Sequence, residues 1–154
     1  MKRNIFDETT RNEVFSRVEK LNAESTGRWG KLNAPQMLRH LSEACRMGLN
    51  EISIANKSSF FSRTFVKWLV INNIKPPGRE KGKIKTFDEI DIVQLNFPVE
   101  ELETEKENYK AMLHKLSYTE KLSDHHPMFG KLTHKDWGYL TYSHADYHLT
   151  QFNV

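Results

Sequence analysis

The feature that most constrains this chain is the period of its apolar residues. They return every three to four positions through most of the sequence, so its main elements must be helices with one buried stripe each. The first helix is expected from about Glu8 to Leu21, where Val14, Val18 and Leu21 form the stripe and Phe15 lies beside it. Gly27 and Gly30 then break the chain around Trp29. Asn33 is a good N-cap, and Pro35 sits in a first turn where its missing N–H costs nothing. The second helix follows to about Leu49, with Met37, Leu41, Ala44 and Gly48 facing inward and Leu38 and Cys45 beside them. Pro98 opens a further helix that runs to about Leu116. Its glutamates Glu100, Glu101 and Glu103 suit the positive end of the dipole, and Leu102, Tyr109, Leu113 and Leu116 make its stripe. Thr133-His-Lys-Asp136 is a capping-box start for the last helix, which reaches about Phe152.

Two stretches fit this pattern less well. From about Ser59 to Asn73, Phe61, Phe65, Trp68 and Leu69 form a main stripe, but Val66 and Val70 make the segment apolar on more than one side. Such a segment is either deeply buried or part of a subunit interface. From Arg79 to Phe97 there is no helical period, and its second half, "FDEIDIVQLNF", reads as partly extended. A connection of that length is either a lid or a surface excursion. The expected fold is all-α: one domain over residues 1–154, built as a four-helix bundle with an extra helical segment and a long irregular connection.

Composition narrows the function. The chain is 38% apolar and 28% charged, as globular proteins are, and its formal net charge is only +3. Acidic and basic residues are interleaved, which argues against a nucleic-acid partner. The single cysteine, Cys45, excludes an internal disulfide and suits a reducing compartment. The start, Met-Lys-Arg-Asn-Ile-Phe, lacks the apolar run of a signal peptide, and the most apolar stretch, Phe65 to Ile74, is too short to span a bilayer. A cytoplasmic protein without a membrane partner is the expectation.

The chemistry concentrates in the last helix, "WGYLTYSHADYHLTQF". At about 100° per residue, Leu140, Thr141, His144, His148 and Gln151 fall within about 60° of Trp137, while Tyr139, Tyr142 and Asp146 fall opposite. Histidines at i and i+4 stand about 6 Å apart along the axis, close enough for both rings to reach one metal at about 2.0–2.1 Å. The spacing alone leaves two readings, a metal pair or two hydrogen-bonded core residues. His40, on the flank of the second helix's stripe, is the best third ligand. Three imidazoles leave positions open for water or substrate, the arrangement of catalytic sites. His134 precedes His144 by about 15 Å of helix, His114 falls on an outer face, and His125 and His126 lie in a loop, where one could line the site but surface placement is expected. Glu43 is a candidate base by its proximity to His40, but its wheel position points outward, which favours a solvated carboxylate, and Cys45 reads as a small buried residue.

"WGKLNAPQMLRHLSEACRM", "HPMFGKLTHKDWGYL" and "HADYHLTQF" together resemble the DinB-like superfamily, in particular its small bacterial branch of unknown function that ends in His-x3-His-Leu-x-Gln-Phe. The likeness covers most of the chain and is weakest from about Asn50 to Phe97. It implies a four-helix bundle holding a divalent metal (zinc or nickel first, iron or manganese next) on His40, His144 and His148. It also implies kinship with metal-dependent hydrolases and with transferases that use low-molecular-weight thiols, many of them homodimers. One departure is Tyr147, where relatives often carry a second histidine; the ligand position itself, His148, is kept.

Two classes of function follow. As an enzyme, the protein uses the metal as a Lewis acid toward a small-molecule substrate, either activating water for hydrolysis or holding a thiolate for S-transfer. Gln151 then orients a ligand or water, and Tyr147 donates a hydrogen bond at the rim. As a non-catalytic module, it holds metal without turnover or keeps the histidines unmetallated in its core. The apolar 59–73 segment adds the expectation of a homodimer.

Overall fold

The structure, a computed structural model, describes residues 2–72 and 86–154. In chain order it contains α1 (Glu8–Glu19), α2 (Ala34–Gly48), a π-helical turn (Ser62–Val66) that runs directly into the short α3 (Lys67–Ile71), and a 3-10 turn (Asp88–Ile90). Then come α4 (Leu102–Tyr118), the two-residue strands β1 (His125–His126) and β2 (Gly130–Lys131), and α5 (His134–Gln151). The protein is mainly helical, as the apolar period requires.

The four longer helices share one core. Val14 and Val18 of α1, Met37, Leu38 and Leu41 of α2, Tyr109, Leu113 and Leu116 of α4, and Trp137, Ala145 and Leu149 of α5 are all buried in it. α2 packs along α4 and against α5, while α1 touches both α4 and α5. Arg17 ties α1 to the end of α5, donating from Nη1 to Asp146 at 2.8 Å and from Nη2 to the Val154 carbonyl at 2.9 Å.

α2 and α5 are closed at both ends by the same devices. Each begins with a reciprocal capping box, Asn33 with Gln36 and Thr133 with Asp136, so two otherwise unpaired N–H groups are satisfied at each start. Each ends on an asparagine in the left-handed region, Asn50 at φ 61° and Asn153 at φ 64°. The next amide returns to a carbonyl five residues back, Glu51 N to Arg46 O at 2.9 Å and Val154 N to Leu149 O at 3.1 Å. These are Schellman closures.

Several sequence expectations need correction. α4 starts at Leu102 rather than at Pro98: the Glu105 carboxylate accepts the Glu100 amide at 3.0 Å, and residues 98–101 run non-helically into the helix. In the 60–71 segment the stripe is reversed. Phe61, Phe65 and Trp68 are 60, 50 and 55% exposed, while Val66, Val70 and Ile71 pack on the core. Tyr142, placed opposite the inward stripe by the helical wheel, is buried, because α5 turns Gly138, Ala145 and Leu149 inward as well as Trp137. The loop after α4 contains a hairpin that pairs His125 with Lys131 and His126 with Gly130. Of the irregular connection, residues 86–97 lie on the protein with Ile90 and Ile92 buried, and residues 79–85 fall outside the described residues.

Candidate metal centre

His40 comes from the middle of α2, and His144 and His148 from successive turns of α5. One nitrogen from each ring lies within 4.8 Å of the other two. The rings form a nearly equilateral triangle, with centroids 4.9 Å (His40–His144), 5.0 Å (His40–His148) and 4.9 Å (His144–His148) apart. His40 and His148 are buried and His144 is half-buried, so the cluster sits at the margin of the core rather than at its centre. The Nε2 atoms of His40 and His144 are 3.0 Å apart. Three nitrogens sharing one zinc at about 2.0–2.1 Å in tetrahedral array stand roughly 3.3 Å from one another, so this separation suits a shared ion. The donor set, three imidazoles, suits zinc, nickel, iron or copper better than magnesium or calcium.

Protonation states follow from the partners. The Gln151 side-chain N–H donates to the Trp29 carbonyl, which can only accept. That fixes the amide orientation and turns Gln151 Oε1 toward His148 Nδ1, 2.9 Å away. An amide oxygen also only accepts, so His148 Nδ1 must carry the proton and a neutral ring presents Nε2 as a lone pair. On the other helix, burial pushes the His40 pKa down to about 4, against the opposing pull of a hydrogen bond to the Ile90 backbone and of the Asp91 charge. His40 is therefore neutral at physiological pH, with one ring N–H committed to Ile90 and the other nitrogen turned to its neighbours. Metal-binding histidines are held in this way, with one nitrogen fixed by an outer partner and the other left basic.

Two irregular segments back these contacts, one behind Gln151 and one against His40. Gly30, at φ +82°, lies so close to Gln151 that a Cβ there would stand 2.5 Å from its Nε2. The Gly27–Gly30 break thus lets the chain fold over the end of α5, and Arg28 N adds a 2.9 Å bond to the Gln151 carbonyl. Helical periodicity could not place Trp29 and Ile90 here, because each contributes a backbone carbonyl, which has no residue signature.

The remaining candidates divide clearly. Tyr147 packs edge-on against His148 at 4.9 Å, and its hydroxyl accepts from Trp29 Nε1 at 3.0 Å. Gln151 is buried behind His148, which makes it the residue that orients the ring. Cys45 is buried, with its thiol pushed up to about 12. Glu43 is not solvated: it is 1% exposed and lies between Arg39 at 2.9 Å and Arg46 at 3.3 Å, which cover it. His114, His125 and His134 are exposed. His126, expected at the surface, is buried in the hairpin with its pKa lowered to about 3 by desolvation.

No curated protein and no solved structure matches the chain. A family model does, over residues 2–154, and its description is a protein of unknown function. By that match the chain belongs to the DUF1569 family.

Proposed function

We propose that this protein binds one divalent metal ion on His40, His144 and His148 and is a metal-dependent enzyme of the DinB-like type, a four-helix bundle formed by α1, α2, α4 and α5. The observation that carries the reading is the convergence of three ring nitrogens within 4.8 Å, two of whose rings have their second nitrogen engaged by an outer partner. A bound cation supplies Lewis acidity there, to water in a hydrolase or to a low-molecular-weight thiol in an S-transferase. The protein's own part is positional. Gln151 sets the His148 tautomer, the Ile90 backbone holds His40, and Tyr147 and Trp29 wall the flank of His148. Half-buried His144 marks the side from which a small molecule enters. Among the described residues no helix is long and apolar enough to cross a membrane.

Elemental analysis of protein purified without added metal or an affinity tag tests the binding. Near-stoichiometric metal in the wild type, lost in His144→Ala, is the expected result, and a metal-free wild type that takes up no ion on titration overturns it. Turnover is tested on the metal-loaded protein with a panel of esters and amides and with thiols plus an electrophile. One further observation supports a second reading: the 3.0 Å Nε2–Nε2 separation of His40 and His144 is also that of an N–H···N hydrogen bond, so an unmetallated or non-catalytic core is the alternative. For assembly, the exposed rings of Phe60, Phe61, Phe65 and Trp68 support a homodimer through this face. A monomeric mass by light scattering at micromolar concentration refutes it.

A further inference from the structure

The His126-Pro-Met-Phe-Gly130 hairpin lies at the start of α5, about 15 Å along the helix from His144, and has a cavity of its own. About 390 Å³ opens between this hairpin and the π-helical turn. Arg63 lines it from the turn and Lys67 from the start of α3, His125 and Lys131 from the hairpin, and Asn56 and Ser58 add neutral donors. No carboxylate is among these lining residues.

The backbone is shaped to bring these groups together. Gly130, at φ +66°, is the point of closest approach, where a Cβ would stand 2.8 Å from Arg63 Cδ. A side chain at this position would push Arg63 away, and glycine lets its stem lie on the hairpin. Lys67 fastens the two walls: its Nζ donates to the Lys131 carbonyl at 2.7 Å and lies 3.8 Å from the Asp136 carboxylate. Asp136 offsets part of the Lys67 charge. Among the described residues neither Arg63 nor Lys131 has an acidic partner. Arg63 and Lys67 are four residues apart on one helical face, where like charges repel. Single π-turns of this kind are frequent at functional sites.

We infer that this cavity is a binding site for a phosphate-type oxyanion, carried by a soluble small molecule or by a lipid headgroup. A guanidinium with two ammonium groups is the donor set that such an anion takes, and binding relieves the repulsion that the empty cavity holds. The volume exceeds that of phosphate itself and leaves room for an organic remainder against Phe129.

The test uses the full-length protein, both wild type and His144→Ala, so that binding at the histidine cluster is read separately. Calorimetric titration with inorganic phosphate and with phenyl phosphate is compared with flotation on phosphatidic acid vesicles and on neutral phosphatidylcholine vesicles. We expect binding that weakens at least tenfold in Arg63→Gln and in Lys131→Gln and is unchanged in His144→Ala. Arg63 and Lys131 are exposed, and circular dichroism checks that each variant remains folded. Binding of the soluble anions assigns a small-molecule source, and binding of phosphatidic acid vesicles alone assigns a headgroup. No binding in either arm, or binding that both substitutions leave intact, overturns the inference.

Discussion

The hairpin's buried His126 and the three-histidine cluster sit near opposite ends of α5, and they differ in where their nitrogens go. At the hairpin, His126 Nδ1 accepts the amides of Met128 at 3.1 Å and Phe129 at 3.3 Å, and the ring stacks on Phe129 at 4.5 Å. That histidine is spent on its own turn, doing with a ring what asparagine does in an Asx-turn. In the triad, His148 and His40 spend one nitrogen on Gln151 and on the Ile90 backbone and turn the other toward a shared point. Burial alone therefore does not mark a ligand. The direction of the second nitrogen separates a candidate ligand from a ring spent on its own turn.

Substitutions that exchange the behaviour of the two sharpen the contrast. The largest effect is expected for His40→Ala, His144→Ala or His148→Ala, each of which should reduce stoichiometric metal to a trace by elemental analysis, while His126→Asn keeps it. Gln151→Ala comes next. It removes the group that orients His148, and metal affinity measured by chelator competition should fall about 10–100-fold, as for other outer partners of ligating histidines. Third, His126→Ala strands two turn amides and should cost about 2–4 kcal/mol in denaturant unfolding, whereas His126→Asn recovers much of it. Metal content should not change in either variant.

The smallest effect is on acid stability. His126 titrates at about 3 in the folded protein and His40 at about 4, both below the roughly 6.5 of an unfolded chain. Their contribution is present in full above pH about 6.5 and is lost as pH falls toward the folded values, because the unfolded state binds the proton first. Each group adds about 1.4 kcal/mol per pH unit to the slope over that window. In metal-free protein between pH 5.5 and 4.5, His126→Asn should flatten the stability profile by about that amount. An unaltered slope would show that His126 is not buried in its neutral form.

The triad was legible because it rests on periodicity. Four residues is one turn, and a face can be computed. The same arithmetic failed for Phe61, Phe65 and Trp68, since a period shows that two faces are apolar without telling which one the core takes. It failed for Glu43 because a neighbouring arginine on either side can bury an outward carboxylate. His126 was misplaced for a different reason. Its partners are backbone amides in a tight turn, and a two-strand hairpin of four residues leaves no pattern long enough to read. The helix ends fared better: Thr133 with Asp136 was visible as a motif, and the reciprocal box is there.

The double closure of α2 and α5 has a calorimetric consequence. Helices sealed at each end do not fray toward the ligands they carry, and three side chains already aimed at one point have little rotamer freedom left to lose. Loading an ion should then bury almost no new apolar surface. The heat-capacity change on titration should be close to zero, and His40, already neutral at pH 7, should contribute no proton release. Small zinc domains behave in the opposite way, folding around their ion with large heat-capacity changes. With the three ring nitrogens already within 4.8 Å of one another, ion uptake should run at a rate set by access past His144 rather than by refolding.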